Sequence, residues 1–282
     1  MTRAIITYID DKMKRNFEKD FLFTLRNTAK FNGRIFVIYY GKDQKFSDRI
    51  KKVYNADVIF KKNSFIISNQ RNIDILSVLD NLPDSILNVM CVDGGDIWFQ
   101  SSFEEAFEIT KDSYGFVEED SGADEGLNLK CLTEIGNEKI RMLFFEKARR
   151  QKLVNSGMII GKKEFVRAII KEISSLTYYL NQDFFALDQT IFNYVVRNDG
   201  QGIVLPSVYN YTLISNVGKF YTNNGLFYTD QKELINIVHN CGNMDRLLPN
   251  GRDSMKNAPK SYKKLPGSFW GVTSFFNPAG YK

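Results

Sequence analysis

The hydrophobic positions of this chain fall into two rhythms. Largely apolar runs occupy residues 4–8 (AIITY), 34–40 (RIFVIYY), 56–60 (ADVIF) and 87–92 (LNVMCV); between them, apolar positions recur every three or four residues. Such a run reads as a strand buried on both faces, and the longer spacing as one face of a helix. Residues 17–29 carry Phe17, Phe21, Leu22, Leu25 and Thr28 at helical spacing, and Asn32-Gly33 closes that helix. Residues 47–54 form a shorter helix. Residues 69–79 form another, with Ile73, Leu76 and Leu79 on one face, Arg71 off it, and Pro83 ending it. Strand, helix and strand within about forty residues make the βαβ unit of a parallel sheet.

The second half is read the same way. Ser102 with Glu105 three residues on is a capping box that opens a helix over 102–110, and 114–118 is a strand. Residues 118–128 (EEDSGADEGLN) are acidic and glycine-containing, the composition of a mobile loop at the C-terminal edge of the sheet. Residues 152–161 are apolar at both ends around a polar break, 164–176 and 184–197 are amphipathic helices, and 203–205 and 235–239 are short strands. The tyrosine- and asparagine-rich stretch 209–228 suits hairpins and loops. From 249 to 266 the composition shifts to Lys, Pro, Asn and Gly, and 269–276 turns strand-like again. The expected organisation is one α/β domain over 1–250, with 251–282 a linker or tail that leaves room for a further domain.

Composition narrows the function. At 282 residues, 43% hydrophobic and 25% charged, the chain is an ordinary globular protein with a sizeable core. Its net charge of +5 is spread in small clusters, which favours solvated faces over a nucleic-acid stripe. Three cysteines, Cys91, Cys131 and Cys241, form no pairing pattern and point to reduced thiols and a cytoplasmic setting. No signal-peptide pattern opens the chain, and no window reaches the roughly 18 apolar residues of a membrane span.

The stretch that demands explanation is LNVMCVDGGDIWF, in which a buried strand runs straight into Asp93-Gly94-Gly95-Asp96. Glycines permit a sharp turn and close approach of a ligand, so the two carboxylates can converge on a divalent cation that bridges to phosphate. A plain polar turn is the alternative, since Asp and Gly are ordinary turn residues.

Four pieces in order then resemble one family: the apolar strand into Asp93 and Asp96, the Asn-Ser-Gly-x-x-x-Gly stretch at 155–161, Asp188-Gln189 opening a helix, and Val-His-x-x-Gly at 238–242. The chain resembles the GT-A fold glycosyltransferases, in particular the glycogenin and lipopolysaccharide galactosyltransferase group and the collagen glucosyltransferase domain. The resemblance implies a single Rossmann-like, mixed but mostly parallel sheet flanked by helices. It also implies a nucleoside-diphosphate sugar donor, UDP-sugar foremost, a glycan or other hydroxyl acceptor, and Mn2+ or Mg2+ held by Asp93, Asp96 and the sole histidine, His239. Thr7 and Tyr8 match positions that cradle base and ribose. Arg71 matches an arginine facing the nucleotide, able to bind phosphate or fix the metal aspartate. Gly94 belongs to the donor site, Asn155 and Ser156 would meet sugar hydroxyls, and Asp188 with Gln189 would sit beneath the anomeric carbon. Acidic residues 118–128 and aromatic residues 209–228 are candidates for acceptor contact.

The chain also departs from that pattern. Asp-x-x-Asp is one residue longer than the usual Asp-x-Asp. The lysine that the family places after His-x-x-Gly is Asp245 here, with Gly242 at the motif glycine and Arg246 the nearest substitute charge. That loss motivates a rival reading, a nucleotide-sugar or glycan-binding module without turnover. A nucleotidyltransferase is disfavoured because IDDKMK, after the first strand, lacks the glycine-rich loop that chemistry uses.

Overall fold

The apolar runs pair as strands of one sheet. The computed structural model describes residues 2–216 and 218–240. In it β1 (Thr2–Asp10), β2 (Arg34–Tyr40), β3 (Ala56–Phe60) and β4 (Ile86–Asp93) lie parallel, with Tyr8 of β1 in register with Asp93 of β4. β5 (Ile97–Phe99), β6 (Tyr114–Phe116), β7 (Glu118–Gly122), β8 (Lys152–Val154), β9 (Met158–Lys162) and β10 (Ile203–Val204) follow. Seven strands make a sheet of order β10-β6-β9-β4-β1-β2-β3, with β9 antiparallel to β4 and β6. β11 (Tyr211–Thr212), β12 (Phe220–Asn223), β13 (Leu226–Thr229) and β14 (Ile237–His239) complete the strands. β14 lies between β11 and β5 in a three-stranded sheet, which brings His239 opposite Ile97, one residue past Asp96.

The helices are α1 (Lys14–Asn16), continuous through a π-helical turn (Phe17–Leu22) with α2 (Phe23–Asn27), then α3 (Gln44–Tyr54), α4 (Ile67–Asp80), α5 (Glu104–Ile109), α6 (Gly126–Glu134), α7 (Glu138–Ala148), α8 (Lys163–Leu180) and α9 (Leu187–Asp199). Successive side chains of a strand point to opposite faces, so β1 feeds two cores. Ala4, Ile6 and Tyr8 join Ile75 and Val78 of α4, Ile169 of α8 and Ile191 of α9. Ile5 and Ile9 join Phe17, Phe21 and Leu25 on the other face. A third cluster, including Trp98, Phe227 and Val238, fixes the small sheet that carries His239.

Four local expectations are corrected. The first helix ends at Asn27, ahead of Asn32-Gly33, and its π turn shifts the apolar register so that Ala29 is buried and Thr28 exposed. α4 buries Arg71, Asn72 and Asp74 beside Ile75 and Val78, while Ile73 and Leu76 are only partly covered, because its inner face looks onto polar groups at the sheet edge. The capping box does not form: α5 starts after Phe103, Ser102 accepts from the Glu104 N–H at 3.3 Å, and Glu105 instead accepts from the Tyr209 phenol at 2.6 Å. Residues 118–128 are not a mobile loop but strand β7, paired with β8, running on into α6. Cys241, Gly242, Asp245, Arg246 and the stretch 251–282 lie outside the described residues.

Candidate active site

The site forms where β4 runs out of sheet. Asp93 is its last residue, and its N–H donates to the Gly157 carbonyl at 2.9 Å, so the turn after β4 is zipped to the 155–157 loop between β8 and β9. Gly94 is obligatory there: a Cβ would stand 2.6 Å from the Tyr8 carbonyl and 2.7 Å from Thr7 Oγ1, so only glycine lets the turn press onto the end of β1. Asp96 is joined to β14 by the Asn240 N–H, which donates to the Asp96 carbonyl at 2.9 Å.

The result is convergence. Asp93, Asp96 and His239 each offer one ligand atom, and the three atoms lie within 4.8 Å of one another. His239 Nε2 is 3.7 Å from Asp93 Oδ2 and 3.5 Å from Asp96 Oδ1, too long for strong N–H···O bonds and suited to an ion in between. His239 is buried, Asp93 is partly covered, and Asp96 is the most open of the three. Gly157 lets its loop press against these groups: a Cβ there would run into the His239 ring and Asn155 Oδ1 and come within 3.0 Å of Asp93 Oδ2. Two hard carboxylate oxygens and one imidazole nitrogen fit a divalent cation.

Behind these ligands lies a buried ion network centred on Arg71. Its guanidinium donates to the Tyr8 phenol oxygen (2.7 Å), to the Ser156 carbonyl and hydroxyl (both 2.9 Å), to Asp188 Oδ2 (2.7 Å) and to Asp93 Oδ1. Asp93 therefore gives one oxygen to Arg71 and turns the other towards His239. Burial opposes the guanidinium charge, but Asp93, Tyr8 and Asp188 outweigh it and hold Arg71 more firmly protonated than usual. Burial raises the Asp188 carboxyl above its ordinary range, with Arg71 opposing, and raises the Tyr8 phenol well above its ordinary range. The chain enters α9 through Ala186 in the left-handed region (φ 66°), and the Asp188 N–H is received by Asn69 of α4 at 3.0 Å.

The other expected residues are placed as follows. Tyr8, Arg71, Asp93, Ser156 and Asp188 form one cluster, and Ser156 also donates its hydroxyl to Asp188 at 3.2 Å. Gln189 Oε1 receives the Ser156 N–H at 3.5 Å. Thr7 is wholly buried against Gly94. Asn155 is also buried: its Nδ2 donates to Glu119 at 2.6 Å, and its Oδ1 accepts from the Gly157 N–H at 2.8 Å and from Asn210 at 3.0 Å. Glu119, Gly157 and Asn210 were not singled out by sequence. Only the glycine of Asn-Ser-Gly carried a usable signal, since Asn210 sits in a stretch where asparagine is common and Glu119 in a run of acids.

No family model matches the chain, and comparison with curated proteins finds no match. Among solved structures it is similar to mouse xyloside xylosyltransferase 1 in its apo form, at 13% identity and a TM-score of 0.52, over 86% of this chain and 99% of that one. The fold is a glycosyltransferase fold. It is the mixed, mostly parallel GT-A architecture expected from the ordered motifs, and at this identity the architecture is what the two chains share. Among the described residues of this glycosyltransferase fold, no helix is long and apolar enough to cross a membrane.

Proposed function

We propose that the chain is a metal-dependent glycosyltransferase that moves a sugar from a nucleoside-diphosphate sugar, UDP-sugar foremost, to a hydroxyl of a glycan or related acceptor, with retention of configuration. The observation that carries this reading is the meeting of Asp93, Asp96 and His239 within 4.8 Å at the end of β4 in a glycosyltransferase fold. Mn2+ or Mg2+ held by them would act as a Lewis acid on the departing diphosphate.

The chain's own residues take the remaining roles. Arg71 fixes Asp93 and balances its charge against Asp188, leaving one Asp93 oxygen for the cation. Asp188 and Gln189 stand beneath the transferred sugar, Asn155 and Ser156 shape its pocket, and Thr7, Tyr8 and Gly94 form the wall towards base and ribose. Gly242 and Arg246 are assigned to the diphosphate on the sequence motif alone. The same ordered motifs support a place near the glycogenin and lipopolysaccharide galactosyltransferase group, and residues 251–282 are kept as a linker or tail. The buried free thiols of Cys91 and Cys131 support a cytoplasmic setting.

The test is incubation with a panel of UDP-sugars with and without Mn2+, following UDP release. Slow, Mn2+-dependent release that falls at least about 100-fold in Asp96→Ala supports the enzyme. Mn2+-dependent binding without release supports the binding module instead, and the absence of Mn2+-dependent binding of any UDP-sugar overturns the reading.

A further inference from the structure

His239 reaches Asp93 and Asp96 through one ring nitrogen only; the other is held by a chain of side chains from elements far apart in sequence. His239 Nδ1 lies 3.0 Å from Asn210 Oδ1, Asn210 Nδ2 donates to Asn155 Oδ1 at 3.0 Å, and Asn155 Nδ2 donates to Glu119 Oε1 at 2.6 Å. The second Glu119 oxygen accepts from the Ser215 hydroxyl. His239, Asn210, Asn155 and Glu119 are all buried.

The polarity of this chain follows from groups whose roles are not interchangeable. The Gly157 backbone N–H can only donate, so the Asn155 atom 2.8 Å from it must be the carbonyl oxygen. The Glu119 carboxylate accepts, so the Asn155 atom facing it must be the amide nitrogen. Both ends of Asn155 are thereby fixed. The Asn210 atom facing the Asn155 oxygen must then be its NH2, which turns the Asn210 oxygen to the imidazole and requires a proton on His239 Nδ1. A neutral ring protonated at Nδ1 carries its lone pair on Nε2, the nitrogen that faces Asp93 and Asp96.

We propose that Glu119, Asn155 and Asn210 form a positioning relay that locks His239 as the Nδ1–H tautomer and aims the Nε2 lone pair at the carboxylates. None of the three touches the reacting atoms through this relay; each acts through the histidine. The consequence for cation binding rests on the proposed metal-dependent function, whereas the tautomer does not. Partners that orient a ligating histidine in this way typically change metal affinity by about 10–100-fold when removed.

His239 is the only histidine in the chain, so its ring nitrogens can be read without assignment by long-range 1H–15N correlation on protein labelled with 15N-histidine. The full chain without added metal is expected to show the proton on Nδ1. Asn210→Ala is expected to give a mixture of tautomers and to bind Mn2+ alone about 10–100-fold more weakly in a calorimetric titration. Asn210→Asp keeps an acceptor for His239 Nδ1 but loses the donor to Asn155 Oδ1, and is expected to keep the Nδ1–H tautomer, so an Nε2–H ring in this variant overturns the relay if the alanine variant does not fold. A wild-type ring protonated on Nε2, or an unchanged tautomer in folded Asn210→Ala, overturns the relay. Wild-type protein with the expected tautomer but no Mn2+ binding supports the relay and instead overturns the metal-dependent function.

Discussion

Arg71 is the residue on which the site's electrostatics turn. It pairs with two carboxylates, Asp93 and Asp188, that would otherwise repel each other in a largely buried setting, and its side chain is only 4% exposed. Removing one member of a buried ionic network leaves its partners uncompensated, so Arg71→Ala is expected to cost about 3–5 kcal/mol in urea unfolding, and Arg71→Lys less. Gly157→Ala addresses the close packing instead of the charge. Its Cβ would meet His239, Asn155 and Asp93, so the variant is expected to fold at a cost of about 1–3 kcal/mol but to lose at least about tenfold in Mn2+ affinity by calorimetry. Thiol reactivity checks the burial itself. Burial pushes the Cys131 thiol up to about 11 and the Cys91 thiol higher, so at pH 8 about one Cys131 in a thousand is thiolate. In a Cys241→Ser background, labelling of the folded protein is expected to be at least about 100-fold slower than in urea.

Much of this residue-level picture was legible in the sequence. Asp93 and Asp96 stood out because a buried strand ending in two acids is chemically conspicuous, and His239 because the ordered motifs of the family the chain resembles imply a histidine there. Arg71 was legible by role but was expected off the apolar face of its helix. Helical periodicity assigns the inside to apolar residues, and α4 breaks that rule because its inner face meets Asp93, Asp188 and Tyr8. Asn210 and Glu119 were illegible for a different reason: their significance is positional, and only the pairing of β7 with β8 and of β11 with β14 brings them to Asn155 and His239.

At the level of elements, the site depends on a small sheet being held against a large one. β14 delivers His239, and its neighbour β5 continues directly from the turn that carries Asp96. Gln100, just past β5, stitches this assembly together. Its side chain donates to the carbonyls of Phe227 (3.1 Å) and Ile235 (2.7 Å) and accepts from the Phe227 N–H (2.8 Å), all while buried. Gln100→Ala strips buried backbone groups of a partner and is expected to destabilise by about 1–3 kcal/mol. Hydrogen exchange should then quicken first at the amides of β13 and β14; uniform loss across β1 to β4 would show that Gln100 supports the whole fold and not this sheet. The strands were the best-read elements, since short, largely apolar, β-branched runs favour a doubly covered sheet. The acidic stretch 118–128 was misread because acidic, glycine-containing composition favours loops, whereas here β8 supplies a pairing edge that local composition cannot reveal.

At the level of the molecule, a parallel sheet brings distant segments to one edge, and that geometry turns weak separate motifs into a site. β4 ends in Asp93, α9 begins beside Asp188, the loop before β9 presents Asn155 and Ser156, and β14 returns His239 more than a hundred residues after Asp96. A fold shared with a glycosyltransferase at 13% identity and three possible ligand atoms within 4.8 Å of one another are the two observations on which the proposed function rests. The sole histidine makes their conjunction directly measurable, because paramagnetic Mn2+ bound beside it must broaden its ring resonances. With UDP present, substoichiometric Mn2+ is expected to erase the His239 ring signals in wild-type protein and to spare them in Asp96→Ala. Sharp His239 signals in wild-type protein at saturating Mn2+ and UDP would contradict the account.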